Sequence, residues 1–237
     1  KTVVIPYGLD FIDNSHAFSQ VNLIYRPNSK NVEIATQILN VNPLKTLKEI
    51  LVSKKVNDAN IRDISFQQDY QNILVVSVTN NSCLRVWDES QATLAINHNP
   101  SISIIAPLSK VTAINTKSIE HLPPENIFGK EPTHSWCYYY QKASLAQQDQ
   151  DWNTVVLLGK ELNAKKLHPL DVSEWMPFFE GYANISQYEE AKGIALRMKS
   201  DMVTVNLICK SFSEKKPVWY ENTDDDVYQF MKQALCG

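Results

Sequence analysis

His134 and Cys137 stand three residues apart where a helix-forming stretch begins. A cysteine near a helix N-terminus with a histidine in reach is an arrangement that lowers a thiol pKa and produces a nucleophile. The plainer reading places Cys137 in a helical core with His134 facing a linker, and we adopt it. Trp136, Tyr138, Tyr139 and Tyr140 form a second candidate, a platform on which sugar rings could stack. Successive helical positions point in different directions, so core packing claims most of these rings and leaves one or two outside. Asp224, Asp225 and Asp226 are a third candidate, for calcium. An EF-hand loop needs alternating oxygen ligands, a central glycine and a final glutamate. None follows here, and acidic residues at a helix N-terminus are explained by the helix dipole.

Other chemistry lacks its motif. The six glycines are scattered, with no GxGxxG and no GxxxxGK[ST]. HExxH and GxSxG are absent as well. His16, His98, His121, His134 and His168 are isolated in sequence. We therefore assign no catalytic, cofactor-binding or metal-binding residue and expect no cofactor. The expected interaction surface is Trp136, Tyr139, Tyr140, Gln141, Lys142 and Gln148.

Elements that would position these residues follow from periodicity. In the first half, residues 2–5 read as a short strand ending at Pro6. Asp13, Asn14 and Ser15 can cap a helix carrying Ala17, Phe18, Val21, Ile24 and Tyr25. Residues 32–39 read as a second strand. Leu44, Leu47, Ile50 and Leu51 mark an amphipathic helix after Pro43. Three strands are expected at 64–66, 73–78 and 83–87, the last two joined by hairpin chemistry at Thr79 to Ser82. The unbroken apolar run at 73–78 fits a central strand. Residues 101–114 are ambiguous between an edge strand and a short helix, because Pro107 interrupts them. Pro123, Pro124, Gly129 and Pro132 then mark an extended linker.

The second half changes to helical spacing. Ser135 can cap a helix with Trp136, Tyr139, Tyr140 and Ala143. Helices follow around Trp152, Val155 and Leu162; Trp175, Phe178 and Tyr182; Tyr188, Ala191 and Ile194; Val203, Leu207 and Phe212; and, past Pro217 and Trp219, Val227, Phe230 and Leu235. Asp171 or Ser173 would start the third of these, with Pro177 in its first turn.

Bulk properties limit function. The 237 residues are 43% hydrophobic and 21% charged, enough for one large domain or two small ones. A net charge of −3 gives no basic face for nucleic acid and no polybasic handle for an anionic membrane. Cys83, Cys137, Cys209 and Cys236 include no CxxC pair. We read all four as reduced packing residues, with a single bridge of unassigned pairing as the alternative. No apolar run is long enough to span a bilayer. The chain opens at Lys1 directly into an apolar strand pattern, so we expect a fragment of a longer protein.

Trp152 and Tyr188 stand 36 residues apart, each opening a helix after a short polar turn. The second copy runs Phe179-Glu180-Gly181-Tyr182-Ala183-Asn184-Ile185-Ser186-Gln187-Tyr188-Glu189-Glu190-Ala191. Over 135–213 this resembles a tetratricopeptide repeat (TPR), with its period of about 34 residues. Phe179 departs from the pattern where a small residue is usual, and Val155 stands where the second copy has Ala191. A generic helical bundle is the alternative.

Two segments carry a further resemblance: Cys83-Leu84-Arg85-Val86-Trp87-Asp88, and Pro132-Thr133-His134-Ser135-Trp136-Cys137-Tyr138-Tyr139-Tyr140-Gln141-Lys142-Ala143. With Asp13-Asn14-Ser15 near the start, this order resembles the soluble C-terminal region of large bacterial multi-pass membrane proteins of unassigned function. Their layout is similar to that of glycosyltransferases using lipid-linked sugars. The resemblance implies a membrane-anchored domain outside the cytoplasmic membrane, attached through a missing N-terminal segment. It carries over no catalytic residue.

The expectation is an α+β chain: a small mixed α/β domain at 1–120, a Pro-rich linker at 121–134 and a TPR-like helical domain at 135–237. Its expected role is a non-catalytic interaction or accessory domain with a protein or glycan partner and no nucleic acid. The alternative is a glycan- or acceptor-binding accessory domain of a membrane glycosyltransferase.

Overall fold

A computed structural model describes residues 3–8, 24, 47–53, 56–61, 64–79, 81–114, 116, 122–214 and 224–237. The chain is of the mixed α+β class, mostly helical, with small sheets. It divides into two compact units. One takes Lys1–Val78, Val86–Asp88 and Leu108–Thr133; the other takes Thr79–Arg85, Glu89–Pro107 and His134–Gly237.

In the first unit, β1 (Val3–Tyr7) pairs in parallel with a later strand, with Val3 opposite Ile73 and Tyr7 opposite Ser77. It runs through Pro6, where the sequence reading stopped it. β1 lies at an edge of its three-stranded sheet, where a residue without an N–H is tolerated. Gly8 follows with φ +77°, and a Cβ there would lie 1.8 Å from the Val78 carbonyl oxygen, so only glycine fits. Leu47 and Lys48 are helical and lead into a wide helical turn at Glu49–Ser53 that buries Ile50.

β2 (Val56–Ile61) and β3 (Ile64–Asp69) pair antiparallel from Val56–Asp69 to Ile61–Ile64. β2 is not among the expected strands, because Val-Asn-Asp-Ala-Asn-Ile has little strand propensity of its own. β3 extends three residues past the expected end at Phe66. β4 (Ile73–Thr79) is the apolar run, with Ile73, Val75 and Val76 buried. Buried Ser77 accepts a hydrogen bond from the Trp87 indole at 2.7 Å, and Ser109 accepts one from the Val75 amide at 3.0 Å. β5 is Ser82–Trp87. The expected helix cap at 13–15, the strand at 32–39, Pro43, Leu44, His16, His121, Pro217 and Trp219 lie outside the described residues; Ile24 is helical.

α1 (Pro100–Ile105) resolves the ambiguous stretch as helix: Asn99 caps it by accepting from the Ser101 amide, and Pro100 occupies the first turn. The Pro-rich linker contains one helical turn, α2 (Glu125–Phe128).

The helices of the second unit are α3 (Trp136–Gln148), α4 (Trp152–Ala164), α5 (Met176–Asn184), α6 (Tyr188–Met198), α7 (Met202–Glu214) and α8 (Asp225–Cys236). Ser135 stands before α3 without making a side-chain capping bond. Asp151 caps α4 through the Thr154 amide, and Asp224 caps α8 through the Asp226 amide. Asp171 starts a tight turn at Val172–Trp175 ahead of α5, with Pro177 in the first turn of that helix.

α3 packs on α4, α4 on α5, α5 on α6, and α3 also on α5. α8 packs on α5, α6 and α7. Glycines set the closest approach: a Cβ on Gly181 of α5 would sit 2.5 Å from the Val155 Cγ1 of α4. The core between these helices is Val155, Leu162, Phe178, Phe179, Ala183, Ala191 and Met198.

Candidate interaction site and the buried polar cluster

All four cysteines are bridged, as Cys83–Cys137 and Cys209–Cys236. This corrects the reading of reduced packing residues. The pairs are 54 and 27 residues apart in sequence, and no local pattern announces a partner at that distance. Cys137 is therefore no free nucleophile. His134 stacks on Tyr138 at 3.5 Å between ring centroids. The first bridge joins the two segments that carry the membrane-protein resemblance.

Of the expected interaction surface, Trp136, Tyr139 and Tyr140 are buried. Their place in that surface is corrected, while the core packing expected for most of these rings holds. Trp136 meets Trp175 and Phe178 edge-on, at 4.6 and 5.8 Å. Gln141 is exposed, and Lys142 and Gln148 are half-buried, with the Lys142 ammonium 5.2 Å from the Tyr138 ring.

A surface groove lies elsewhere. Tyr188, Glu189 and Lys192 of α6 face Phe230, Gln233 and Ala234 of α8 across a shallow groove of about 540 Å³. The Tyr188 and Phe230 rings are half-buried and 4.5 Å apart, tilted by 48°. Lys192 donates to Glu189 at 2.8 Å on the groove's rim. The groove is thus lined by two rings in mutual contact beside a carboxylate, an ammonium and an amide. That combination suits a ligand with apolar faces and hydroxyl or amide edges.

A polar cluster is buried in the same unit. β5 alternates, so Cys83, Arg85 and Trp87 are buried while Leu84 is exposed. Arg85 donates from Nη2 to Ser173 Oγ at 2.8 Å and to Asp171 Oδ2 at 3.3 Å. Its guanidinium also lies 5.8 Å from the centre of the Tyr140 ring. His98 Nε2 is 3.2 Å from Asp171 Oδ2, and Ser173 donates to Asp171 Oδ1 at 2.6 Å. Burial works against the Asp171 carboxylate, yet His98, Arg85 and Ser173 together hold its pKa well below the usual carboxylate range.

Glu174 is the opposite case. It accepts from the Cys83 amide at 2.6 Å and from the Trp136 indole at 2.6 Å. Burial outweighs these bonds and the nearby Arg85, and pushes its pKa up. Burial also pushes the Tyr140 phenol up, against the pull of Arg85.

The sequence reading missed Arg85, His98, Asp171 and Glu174 as a group. One signal was present: strand alternation puts Arg85 on the same face as Cys83 and Trp87, and a buried arginine requires a carboxylate. Among the described residues, no group of His, Cys, Asp and Glu could hold a metal ion. No helix among them is long and apolar enough to cross a membrane. No known protein family, curated protein or solved structure matches the chain.

Proposed function

We propose that this chain is a non-catalytic interaction module, an accessory domain of a larger membrane-anchored protein, working outside the cytoplasmic membrane. The observation that carries the reading is the groove between α6 and α8, a shallow, mixed apolar and polar surface. Two helix pairs of the same unit favour a TPR-like reading: α3–α4 and α5–α6 are hairpins with the same turn, 36 residues apart. Such hairpins present one helical surface to a ligand and use the other for stacking. α8 packs against α5, α6 and α7.

The cysteines support the proposed compartment. Two disulfides persist in an oxidising environment and are rare in the cytosol. Membrane attachment rests on the sequence resemblance.

A second reading, a glycan- or acceptor-binding accessory domain of a membrane glycosyltransferase, is favoured by the Tyr188 and Phe230 rings beside Glu189, Lys192 and Gln233. Aromatic faces stack on sugar C–H groups while the polar neighbours bind hydroxyls.

Topology is the test. The full-length gene product with a C-terminal tag is exposed to protease in intact and lysed cells. Cleavage in intact cells with the tag in the membrane fraction supports the reading. A soluble product protected until lysis overturns it. For the glycan reading, soluble oligosaccharides are titrated against the domain and against a Tyr188→Ala, Phe230→Ala double variant. Binding lost in the variant supports it, and equal binding by both proteins overturns it.

A further inference from the structure

The Cys83–Cys137 bridge has a chemical setting that the other bridge lacks among the described residues. Cys83 is buried, at 2% exposure, while Cys137 is partly exposed at the second position of α3. The Cys83 sulfur lies 3.3 Å from Glu174 Oε2. A disulfide sulfur carries no proton, so any proton on that line belongs to Glu174. The carboxyl is held in place by the Cys83 amide on Oε1 and the Trp136 indole on Oε2.

Each position suits one step of thiol–disulfide exchange. The accessible sulfur is the one an external thiolate reaches. The buried sulfur is then the leaving group, and a buried thiolate is costly unless it is protonated as it departs. A carboxylic acid in contact with it supplies that proton. Cys137, when released later, leaves as a thiolate near the N-terminus of a thirteen-residue helix, where negative charge is stabilised.

We propose that Cys83–Cys137 is an exchangeable disulfide, the substrate of a dithiol reductant that attacks Cys137, with Glu174 protonating the departing Cys83 sulfur. One reductant thiolate bonds to Cys137 Sγ as the Cys83–Cys137 bond breaks, and Cys83 Sγ takes the Glu174 proton. The second reductant thiolate attacks the first reductant sulfur, forming the reductant's own disulfide and releasing Cys137. Two electrons pass from the dithiol to the bridge. The two thiol protons of the reductant, passed through solvent, re-protonate Glu174 and Cys137. The groups facing Glu174 are the Arg85 guanidinium, the Asp171 carboxylate, Tyr140, the Trp136 indole and the Cys83 amide. Reduction would cut the covalent tie between β5 and α3, so the state of the domain would follow the dithiol supply of its compartment.

The experiment has two arms, both on the whole chain. In the first, the wild-type protein is exposed briefly to glutathione, quenched by alkylation and mapped by mass spectrometry. The expected adduct is a glutathione mixed disulfide on Cys137 with Cys83 alkylated; an adduct on Cys83 with Cys137 alkylated overturns the proposal. In the second, the rate of Cys83–Cys137 reduction by dithiothreitol, divided by thiolate concentration, is followed against pH. It should fall as pH rises through the Glu174 titration, above the ordinary carboxylate range. Glu174→Gln should remove that break and slow the acid-side rate about 100-fold, the low end of what a positioned acid contributes. Reduction of Cys209–Cys236 in the same samples should follow thiolate concentration alone in both proteins. Identical thiolate-only profiles for both bridges in the wild type, or a Cys83–Cys137 rate equal to that of global unfolding in urea, overturn the proposal whether or not the variant folds.

Discussion

Gln150 and Ser186, 36 residues apart, hold the same place in two turns and the same left-handed backbone, with φ of 57° and 62°. In each turn the next amide bonds back over five residues, Asp151 to Ala146 and Gln187 to Tyr182, closing the end of α3 and of α5. Lys166, with φ 54°, ends α4 in the same way, through the Leu167 amide and the Leu162 carbonyl. Glycine is the usual residue for this position, since a Cβ makes the left-handed region unfavourable by about 1–2 kcal/mol. Gln150→Gly and Ser186→Gly should each stabilise the domain by about 1 kcal/mol. That raises Tm by a few degrees, measured by thermal unfolding. A lower Tm for both variants would contradict the turn assignment.

Gly181 and Gly193 should respond oppositely to alanine. Gly181 is buried, and its Cβ would press on Val155. Gly193 is exposed on α6, with nothing within 4 Å of an added Cβ. Gly193→Ala should gain up to about 1 kcal/mol from helix propensity. Gly181→Ala should lose about 1–3 kcal/mol through overpacking, and Val155→Ala in the same chain should recover part of the loss. Urea denaturation of the four proteins in a double-mutant cycle measures the coupling.

Arg85 holds the cluster around Asp171, so its removal leaves buried carboxylates without their compensating charge. Arg85→Met should destabilise by about 3–5 kcal/mol. Arg85→Lys should rescue little, because the shorter lysine side chain holds its ammonium short of the Nη2 position that bonds both Ser173 and Asp171. Denaturant midpoints of the two variants, compared with wild type, decide this.

The pH dependence has two opposed parts. The folded pKa of Asp171 is depressed, so its contribution is present above the unfolded value, about 3.9, and is lost as pH falls through the folded value. The folded pKa of Glu174 is raised, so the folded state binds its proton more tightly than the unfolded one. Stability should therefore fall as pH rises from about 4.3 through the Glu174 folded value, and then level off. Glu174→Gln should flatten that slope, and Asp171→Asn should flatten the acid limb below it. Unfolding free energies at closely spaced pH values between about 2 and 8 test both. A wild-type curve without a decline above about 4.3 would remove the Glu174 assignment.

The protein purified from an oxidising compartment should show no maleimide-reactive thiol even in denaturant. Opening Cys209–Cys236 by replacing both residues with serine should lower stability by roughly 3–4 kcal/mol, from the loop entropy of a 27-residue span. Free thiols in the native product would return the cysteines to the reduced-packing reading.

The sequence by itself determined what depends on near neighbours along the chain. Helical periodicity gave α3 through α8, the apolar run gave β4, and alternation gave β5, because each pattern is read within a dozen residues. The offset between Trp152 and Tyr188 also located the two matching turns. β2 escaped, since its polar residues become a strand only through pairing with β3.

Only the tertiary structure decided which distant groups meet. Cys83 joins Cys137 across 54 residues, Arg85 meets Asp171 across 86, and the Cys83 amide meets Glu174 across 91. It also decided that Trp136, Tyr139 and Tyr140 are core and that Tyr188 and Phe230 flank the groove. A side chain's type limits which partners satisfy it. Which partner it finds depends on how the helices pack, and that is set by the summed burial of residues far apart in the chain.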